Sequence, residues 1–208
     1  MKKEEENKNK YEFKIVTLGD PGVGKTSIFR RFVEDNFDPN QLSTLGINLS
    51  TKILKIKNKE LVLKLIDTGG QEKYRAIAAS YFRRADVILF VFDLNNSGSF
   101  ESIQYWLDFF EENNTGTNIK NKFLIGNKND LEQKVDQDLI DKLTEKNNIL
   151  YMSTSAKTKH QIEQLFEYIG GELCKLLENN TKNNNGKKKS TGKVLSKTNM
   201  KKDKKKCC

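Results

Sequence analysis

A glycine-rich segment, GDPGVGKT, occupies Gly19 to Thr26 and is compatible with few folds. It follows a short apolar run, FKIVTL, and precedes a helical pattern that extends from Lys25 to about Glu34. The segment fits G-x-x-x-x-G-K-[ST], in which glycines let phosphate groups approach backbone N–H groups at the start of a helix. Lys25 can then reach the β and γ phosphates, and the Thr26 hydroxyl can bind Mg²⁺. A chance glycine-rich turn is the alternative, and the strand-turn-helix context disfavours it.

Apolar runs alternate with helical patterns along the rest of the chain. DVILFVFD, Asp86 to Asp93, is apolar almost throughout, as a strand covered on both faces must be. LSTKILKI and LVLKLI flank KNKE and predict a hairpin, while KFLIGN and ILYMS predict two more strands. The sequence therefore predicts an α/β fold: a six-stranded, mostly parallel sheet with helices on both faces and a ligand site beyond the carboxyl ends of the strands.

Two helices are predicted from apolar residues that recur at helical spacing. The first has the apolar face Phe100, Ile103, Leu107 and Phe110. The last helix has the apolar face Ile162, Leu165, Phe166, Ile169, Leu173 and Leu176. Thr158 and Gln161 have the spacing of a capping box for the last helix. Gly170 and Gly171 lie inside that helix, where each costs about 1 kcal/mol relative to alanine. No sequence pattern explains these two glycines.

The two ends of the chain are strongly charged. We predict a disordered arm over residues 1–10, one domain over 11–178 and a disordered polybasic tail over 179–208. The tail holds eleven lysines and one acid, a net charge of +10, so the overall charge of +9 leaves about −1 for residues 1–178. A near-neutral body argues against a nucleic-acid-binding face, whereas the tail could serve nucleic acid, an anionic membrane or solubility.

Cysteine usage and hydropathy indicate the compartment. Three cysteines, Cys174, Cys207 and Cys208, cannot build a disulfide framework, and no apolar stretch opens the chain as a signal peptide would. The longest apolar run, VILFVF, is far shorter than the roughly 20 residues of a membrane-spanning helix. We therefore expect a reducing, cytosolic compartment.

Two further motifs point to a nucleotide base. NKND, Asn127 to Asp130, follows a predicted strand, and the Asp130 carboxylate can accept from the ring N1–H and exocyclic amine of guanine, donors that adenine does not present there. TSAK, Thr154 to Lys157, offers the N–H of Ala156 to the guanine carbonyl. NKND alone has an ordinary turn composition. Together with the phosphate-binding segment it is a specific signal for guanine.

A fourth motif, DTGGQE, closes the third predicted strand. Asp67 is placed for a water-mediated contact to Mg²⁺, the N–H of Gly70 can bind a γ phosphate, and Gln71 can orient an attacking water. A simple glycine turn is the alternative, and the order of the four motifs disfavours it.

In the order GDPGVGKT, STLGIN, DTGGQEKYR, NKND and TSAK, the chain resembles a Ras-superfamily small GTPase of the Rab branch over about residues 11–178, with a family-like tail. The resemblance implies a GTP-binding switch that hydrolyses GTP to GDP and regulates vesicle traffic. It implies Gln71 as the catalytic residue and Thr26, Thr44 and Asp67 as the Mg²⁺ site, with Thr44 binding only when a γ phosphate is present. Phe37 is implied to stack on guanine opposite Lys128. The implied nucleotide-binding residues are Gly19, Asp20, Pro21, Gly22, Val23, Gly24, Lys25, Thr26, Ser27, Phe37, Thr44, Asp67, Gly70, Asn127, Lys128, Asp130, Ser155, Ala156 and Lys157.

The loop before Thr44 bears on the rate of hydrolysis. Asp35 to Thr44 contains no Arg or Lys, so no arginine is available there to stabilise the transition state. We expect slow intrinsic hydrolysis that a partner accelerates, by roughly 10³ to 10⁵ if the partner supplies an arginine. Pro21 lies close to where that arginine and Gln71 would meet. The proline therefore affects how strongly a partner can accelerate hydrolysis.

The resemblance also implies an effector surface made of Gln41, Leu42, Ser43, Thr44, Leu45, Gly46, Ile47, Asn48, Leu49, Ile66 and Tyr81. Here Ile66 stands where Rab proteins usually carry Trp, Leu49 stands where they usually carry Phe, and Tyr81 keeps the third position of that apolar triad. Gly69 replaces the usual Ala and adds backbone freedom to the second switch. We expect an effector surface that differs from those of other Rab proteins.

The terminal cysteines follow a run of lysines, KKDKKKCC. In Rab-like chains such an ending implies a geranylgeranyl group on each of Cys207 and Cys208. One lipid chain holds a protein at a membrane only marginally, whereas two hold it stably, and each nearby lysine adds about 1 kcal/mol of attraction to anionic lipid. We expect anchoring at the cytoplasmic face of a membrane, with a cytosolic pool bound to a prenyl-shielding carrier, besides effectors, an exchange factor and a GTPase-activating protein.

Three other functions compete with this hypothesis. NKND opposes a P-loop ATPase or kinase. Gln71 opposes a nucleotide-binding module with little turnover, which Pro21 and Gly69 slightly favour. A nucleic-acid binder that uses the lysine tail would keep its binding after removal of Cys207 and Cys208, whereas lipid anchoring would be lost.

Overall fold

A computed structural model describes residues 10–44, 46–69, 79–81, 85–114 and 121–183 of the chain, with side chains described up to residue 179. The strands are β1 (Lys10–Leu18), β2 (Ile47–Ile56), β3 (Lys59–Thr68), β4 (Val87–Asp93), β5 (Asn121–Asn127) and β6 (Leu150–Ser153). They form one sheet in the order β2-β3-β1-β4-β5-β6. β2 and β3 pair antiparallel, and the other neighbours pair parallel. The prediction of a six-stranded, mostly parallel sheet is confirmed.

The longer helices within the described ranges are α1 (Lys25–Glu34), α2 (Ser97–Asn113), α3 (Gln137–Asn147) and α4 (Ile162–Asn183). Residues 79–81 are also helical. None of the described helices is both long and apolar enough to cross a bilayer. β1 includes Lys10, which the sequence placed in the arm, and α4 runs five residues past the expected domain end at residue 178.

Helix α3 has no counterpart in the sequence analysis. Ile140 is its one buried residue, so the helix lacks the apolar stripe by which the others were found. Its start has a local signal, because the side chain of Asp136 accepts from the N–H of Asp138. Its end has another at Asn148, which adopts a left-handed conformation with φ 50°.

The core lies in two layers, one on each face of the sheet. Alternation along β1 divides its side chains, with Ile15 in one layer and Val16 in the other, and both are fully buried. The first layer packs against α1 and α4, where the rings of Phe32 and Phe166 stack with centroids 3.7 Å apart. The second packs against α2, where Phe110 meets Phe90 edge to face. Helices therefore cover both faces, as predicted.

The start of α4 differs from the prediction. The helix begins at Ile162, so Thr158 lies four residues before it and cannot cap it. The N–H of Thr158 instead donates to the Ser155 hydroxyl oxygen, and Gln161 has a left-handed φ of 54°. The capping box is wrong because these residues form a turn that folds back on Ser155.

The structure gives a reason for one of the two glycines in α4. A Cβ at Gly170 would lie 2.8 Å from Cδ2 of Leu54 and 3.0 Å from Cγ1 of Ile56, so the glycine lets β2 lie close to the helix. A Cβ at Gly171 would meet nothing within 4 Å, and nothing in the structure explains that glycine.

Candidate functional site

A cleft of about 370 Å³ lies beyond the carboxyl ends of the strands, where the sequence placed the ligand site. This volume is within the range typical of small-molecule sites. The cleft is lined by loops that follow β1, β5 and β6, by the start of α1 and by the segment before β2. Of the predicted nucleotide-binding residues, those that line it are Pro21, Gly22, Gly24, Lys25, Thr26, Ser27, Phe37, Thr44, Asn127, Lys128, Asp130, Ala156 and Lys157.

Two glycines of the loop after β1 are required by its geometry. Gly19 has φ 144°, and a Cβ there would lie 2.1 Å from the carbonyl oxygen of Val91 in β4. Gly24 has φ 97°, and a Cβ there would lie 2.2 Å from Nδ2 of Asn127. Both positions combine a left-handed backbone with contact to another element, so a side chain at either would displace the loop.

Lys25 is held at the centre of this loop. Its side chain is buried, and Nζ donates to the carbonyl oxygens of Gly19 at 2.9 Å and Asp20 at 2.8 Å. Burial lowers the pKa of Lys25 to about 8, although the charges of Asp67 and Asp20 oppose the shift. The ammonium group is thus desolvated and positioned by the loop that would surround a phosphate chain.

The three predicted metal ligands meet at one point. The Thr26 hydroxyl donates to Oδ2 of Asp67 at 2.6 Å and is in hydrogen-bond contact with the Thr44 hydroxyl, which lies 3.5 Å from the same oxygen. Burial raises the pKa of Asp67, whereas the hydrogen bond from Thr26 and the charge of Lys25 lower it. Oδ1 of Asp67 is buried without a hydrogen-bond partner among the described residues.

These groups suit Mg²⁺, which takes oxygen ligands and is commonly bound by one or two carboxylates together with substrate phosphates. The described residues contain no cluster of three His, Cys, Asp or Glu side chains that could hold a metal by themselves. A carboxylate oxygen without a partner and two hydroxyls beside it fit a metal that completes its coordination on phosphate oxygens and water.

Asn127 joins the loop after β5 to the phosphate loop and to the loop after β6. Its Nδ2 donates to the carbonyl oxygen of Val23 at 2.9 Å. Its Oδ1 accepts from the Thr154 hydroxyl and from the N–H of Ala156, both at 3.3 Å. The N–H that the sequence assigned to a guanine carbonyl therefore donates to Asn127 in this structure.

Asp130 is fixed by the loop after β6. The Ser155 hydroxyl donates to Oδ1 of Asp130 at 2.5 Å, and Nζ of Lys157 lies 3.6 Å from Oδ2. The neighbouring Lys128 has a left-handed φ of 65° and pairs with Asp93 at 2.7 Å. The loop after β6 thus holds the Asp130 carboxylate, which belongs to the loop after β5, at the cleft.

Comparison with known proteins decides the family. The model of the Ras family matches residues 14–175. The chain belongs to the Ras family. Rab-13 of Bos taurus is 36% identical over 181 residues, covering 86% of this chain and 88% of the relative. The GTP-binding protein ypt1 of Schizosaccharomyces pombe is 32% identical over 200 residues, covering 95% and 97%. RABA5b of Arabidopsis thaliana is 35% identical over 175 residues, covering 83% and 80%.

These relatives place the Ras-family chain in the Rab branch at modest identity. The chain is a Rab-like GTP-binding switch of vesicle traffic with GTPase activity. The alternative function, a nucleotide-binding module with little turnover, is not favoured. Membership in the branch also indicates guanine nucleotides and regulatory proteins as partners, and a location at the cytoplasmic face of a membrane.

The predicted effector surface is only partly exposed in this Ras-family fold. Leu42 and Leu49 are 82% and 66% exposed, whereas Ile66 is 2% exposed. Leu49 and Ile66 are direct partners across β2 and β3. Ile66 is therefore buried in this structure, and its contribution to an effector surface stays a prediction. Tyr81 is half-buried against the core layer on the α2 side.

Gly69 lies against the loop that carries Thr44. Its N–H donates to the carbonyl oxygen of Gly46 at 2.9 Å, and a Cβ on Gly69 would lie 2.5 Å from the carbonyl oxygen of Thr44. The absence of a side chain at position 69 thus permits this approach of the two predicted switches.

Arg31, which no sequence motif indicated, connects α1 to the loop after β6. Its Nε donates to the carbonyl oxygen of Ala156 at 2.8 Å, and a terminal nitrogen donates to that of Lys157 at 3.2 Å. The other terminal nitrogen donates to the carbonyl oxygen of Asp35 at 2.7 Å. The spacing of Arg31 and Asp35 by four residues gave a signal for their ion pair, but nothing local indicated a contact across 125 residues.

Five predicted site residues lie outside the described residues: Leu45, Gly70, Gln71, Cys207 and Cys208. Their roles rest on the sequence.

Proposed function

We propose that the cleft binds GTP and GDP with Mg²⁺ and that the chain hydrolyses GTP slowly until a partner accelerates the reaction. One observation carries this proposal: Thr26, Thr44 and Asp67 converge near the buried Lys25, and Thr26, Thr44 and Lys25 line the same cleft as Asp130. The residues that suit phosphate and a metal and the carboxylate that suits a guanine base thus share one cleft.

The residues that would contact the phosphates and the metal have separate functions. Lys25 would contact the β and γ phosphate oxygens, and the loop glycines would admit backbone N–H groups to them. Thr26, Thr44 and Asp67, the last through water, would hold Mg²⁺, which when bound neutralises charge on the β and γ phosphate oxygens. Gln71 would orient the attacking water. Positioning and charge stabilisation account for the whole reaction, because phosphoryl transfer needs little else from the protein.

The residues at the base end provide the choice of guanine. Asp130 would accept from the N1–H and exocyclic amine of guanine, while Ser155 and Lys157 hold the carboxylate in place. Phe37, which lines the cleft, and the side chain of Lys128 would lie on the two faces of the ring. The N–H of Ala156 would exchange its long hydrogen bond to Asn127 for one to the guanine carbonyl.

Hydrolysis would work as a timer. With no arginine or lysine in the loop from Asp35 to Thr44, a GTPase-activating protein would supply the missing charge, and Pro21 would influence how closely it approaches. Thr44 and Gly70 would order their loops on the γ phosphate and release them after it leaves. Effectors would read the ordered state through the exposed residues at the start of β2, Leu49 above all.

The tail would anchor the switch. Geranylgeranyl groups on Cys207 and Cys208 would bind the membrane stably where one would not, and the lysines would add attraction to anionic lipid. A carrier that covers both lipids would maintain a cytosolic pool, and an exchange factor would reload GTP. Replacing both cysteines with serine while keeping every lysine should abolish membrane association in cells. Retained association would show that the lysines suffice and refute the lipid anchor.

Nucleotide selectivity tests the central proposal. Isothermal titration of the nucleotide-free chain with Mg²⁺ should give at least 100-fold tighter binding of GDP than of ADP. Asp130→Asn should lose most of that preference, because the amide cannot accept from both guanine donors. The matched control, Asp136→Asn at the start of α3, should keep it. Equal affinity of the unmodified chain for the two nucleotides would refute the proposal.

A further inference from the structure

The indole of Trp106 reaches the phosphate loop from α2. Its Nε1–H donates to Oδ1 of Asp20 at 2.8 Å, across 86 positions of sequence. Trp106 is 2% exposed, so this hydrogen bond is shielded from water on the tryptophan side. The backbone carbonyl of the same Asp20 accepts from Nζ of Lys25 at 2.8 Å. One residue of the loop is thus held by its side chain and by its main chain.

The direction of the Asp20 side chain matters because of its charge. The carboxylate is near enough to Lys25 for the two charges to interact, although burial remains the larger influence on the pKa of the ammonium group and lowers it. A negative group at this place repels phosphate oxygens if it faces them and competes with them if it pairs with Lys25. An indole N–H is a donor only, and a hydrogen bond to a charged acceptor is stronger than one between neutral groups.

We propose that Trp106 is a positioning residue for the nucleotide site: its N–H holds the Asp20 carboxylate away from the bound phosphates and so slows nucleotide release. The inference rests on the proposed GTP and GDP site. It assigns a function to a residue of α2, a helix that contributes nothing to the lining of the cleft.

A purely structural function of Trp106 makes a different prediction. The indole also packs edge to face on Tyr105 and Phe109, with ring centroids 5.5 Å and 6.0 Å away. If packing were its whole contribution, replacement would lower stability without regard to what stands at position 20. Dependence on Asp20 is therefore the property to measure.

The experiment measures release of a fluorescent GDP analogue from the full chain in Mg²⁺, by stopped flow against excess GDP. Trp106→Phe keeps an aromatic ring and removes the N–H. It should raise the release rate roughly 3- to 30-fold, which corresponds to part of the free energy of a hydrogen bond to a charged group. In an Asp20→Ala background, the same change at Trp106 should alter the rate less than twofold. Phe110→Leu, on the same helix and in contact with Phe90, should lower the melting temperature and leave the rate within twofold.

A second measurement does not require the Trp106 variant to fold. Trp106 is the sole tryptophan of the chain, so its emission can be read directly. Asp20→Ala should shift the emission maximum, because the indole N–H loses its acceptor, while Asp38→Ala on the cleft rim should not. Three results would each overturn the proposal: an unchanged release rate in Trp106→Phe, an equal effect in the Asp20→Ala background, or unchanged emission in Asp20→Ala. A chain that binds no guanine nucleotide would refute the proposed function instead.

Discussion

Thr26 and Asp67 are joined by a hydrogen bond of 2.6 Å although 41 positions separate them in the sequence. Thr26 lies in the first turn of α1 and Asp67 near the end of β3, so the bond connects the phosphate loop to the strand that leads into the second predicted switch. Because Thr44 contacts the same pair, one small cluster of oxygen atoms joins the phosphate loop, the end of β3 and the segment before β2.

Replacing Thr26 with asparagine should disable this cluster. Asparagine is larger and lacks the hydroxyl, so Mg²⁺ binding weakens and GTP, which depends on the metal through its γ phosphate, should lose at least about tenfold more affinity than GDP. Nucleotide content after purification, measured by chromatography, should show GDP or no nucleotide. Thr51→Asn, the same change at an exposed position of β2 outside the cleft, is the control. A variant that retains GTP as well as the unmodified chain does would contradict the assignment of Thr26.

Replacing Gln71 with leucine should trap the GTP state. Leucine cannot orient the attacking water, and the intrinsic hydrolysis rate should fall about tenfold or more while nucleotide affinity changes little. Single-turnover phosphate release from the GTP-loaded chain measures the rate. Unchanged turnover would mean that another group orients the water.

The two adjacent glycines of α4 should respond differently to alanine. Gly171→Ala should raise the free energy of unfolding by about 0.5–1 kcal/mol, because alanine favours the helix and its Cβ meets nothing within 4 Å. Gly170→Ala makes the same gain in helix propensity but places its Cβ 2.8 Å from Leu54, so it should be less stable than Gly171→Ala by about 1 kcal/mol or more. Urea unfolding of the two variants side by side gives the comparison. Equal stability would mean that β2 can move away from α4 freely.

Asp86 should make stability depend on pH. Burial raises the pKa of this carboxyl from 3.8 to about 6, although a hydrogen bond from the N–H of Lys14 opposes the shift. Because folding favours the protonated form, the contribution of Asp86 to stability should fall as pH rises from about 4 through 6, by roughly 2–3 kcal/mol at most.

Asp86→Asn supplies the matched comparison, since its amide oxygen can still accept from Lys14. The difference in unfolding free energy between the variant and the unmodified chain should grow in favour of the variant from pH 4 to pH 7 and then stay constant. Urea titrations at constant nucleotide and salt measure it. A difference that does not change between pH 4 and pH 7 would show that the Asp86 carboxyl has an ordinary pKa.

The elements that could be predicted from the sequence are those whose signal lies within one stretch of the chain. β4 and the core faces of α2 and α4 were found because their apolar patterns are continuous along the chain. Helix α3 was missed because its burial is confined to Ile140. The capping box at Thr158 failed because a spacing of residue types does not show whether the backbone between them is helical, and here Gln161 is left-handed.

In the candidate site too, some features could be predicted from a local motif and others depend on tertiary contacts. The phosphate loop could be read from the sequence, since its glycines, Lys25 and Thr26 are consecutive and their chemistry is fixed by the loop itself. Ile66 could be recognised as a change of residue type, but its burial beside Leu49 depends on the pairing of β2 with β3.

By itself, the sequence determined that the chain folds around a phosphate loop and carries separate motifs for a metal and a guanine base, because short motifs encode the backbone geometry and chemical groups that such ligands require. Only the tertiary structure decided that Trp106 holds Asp20, that Arg31 supports the loop at Ala156 and that Gly170 makes room for Leu54. Each of these contacts joins residues far apart in the chain. Their distance is set by how helices pack on the sheet, a property that no single stretch of residues contains.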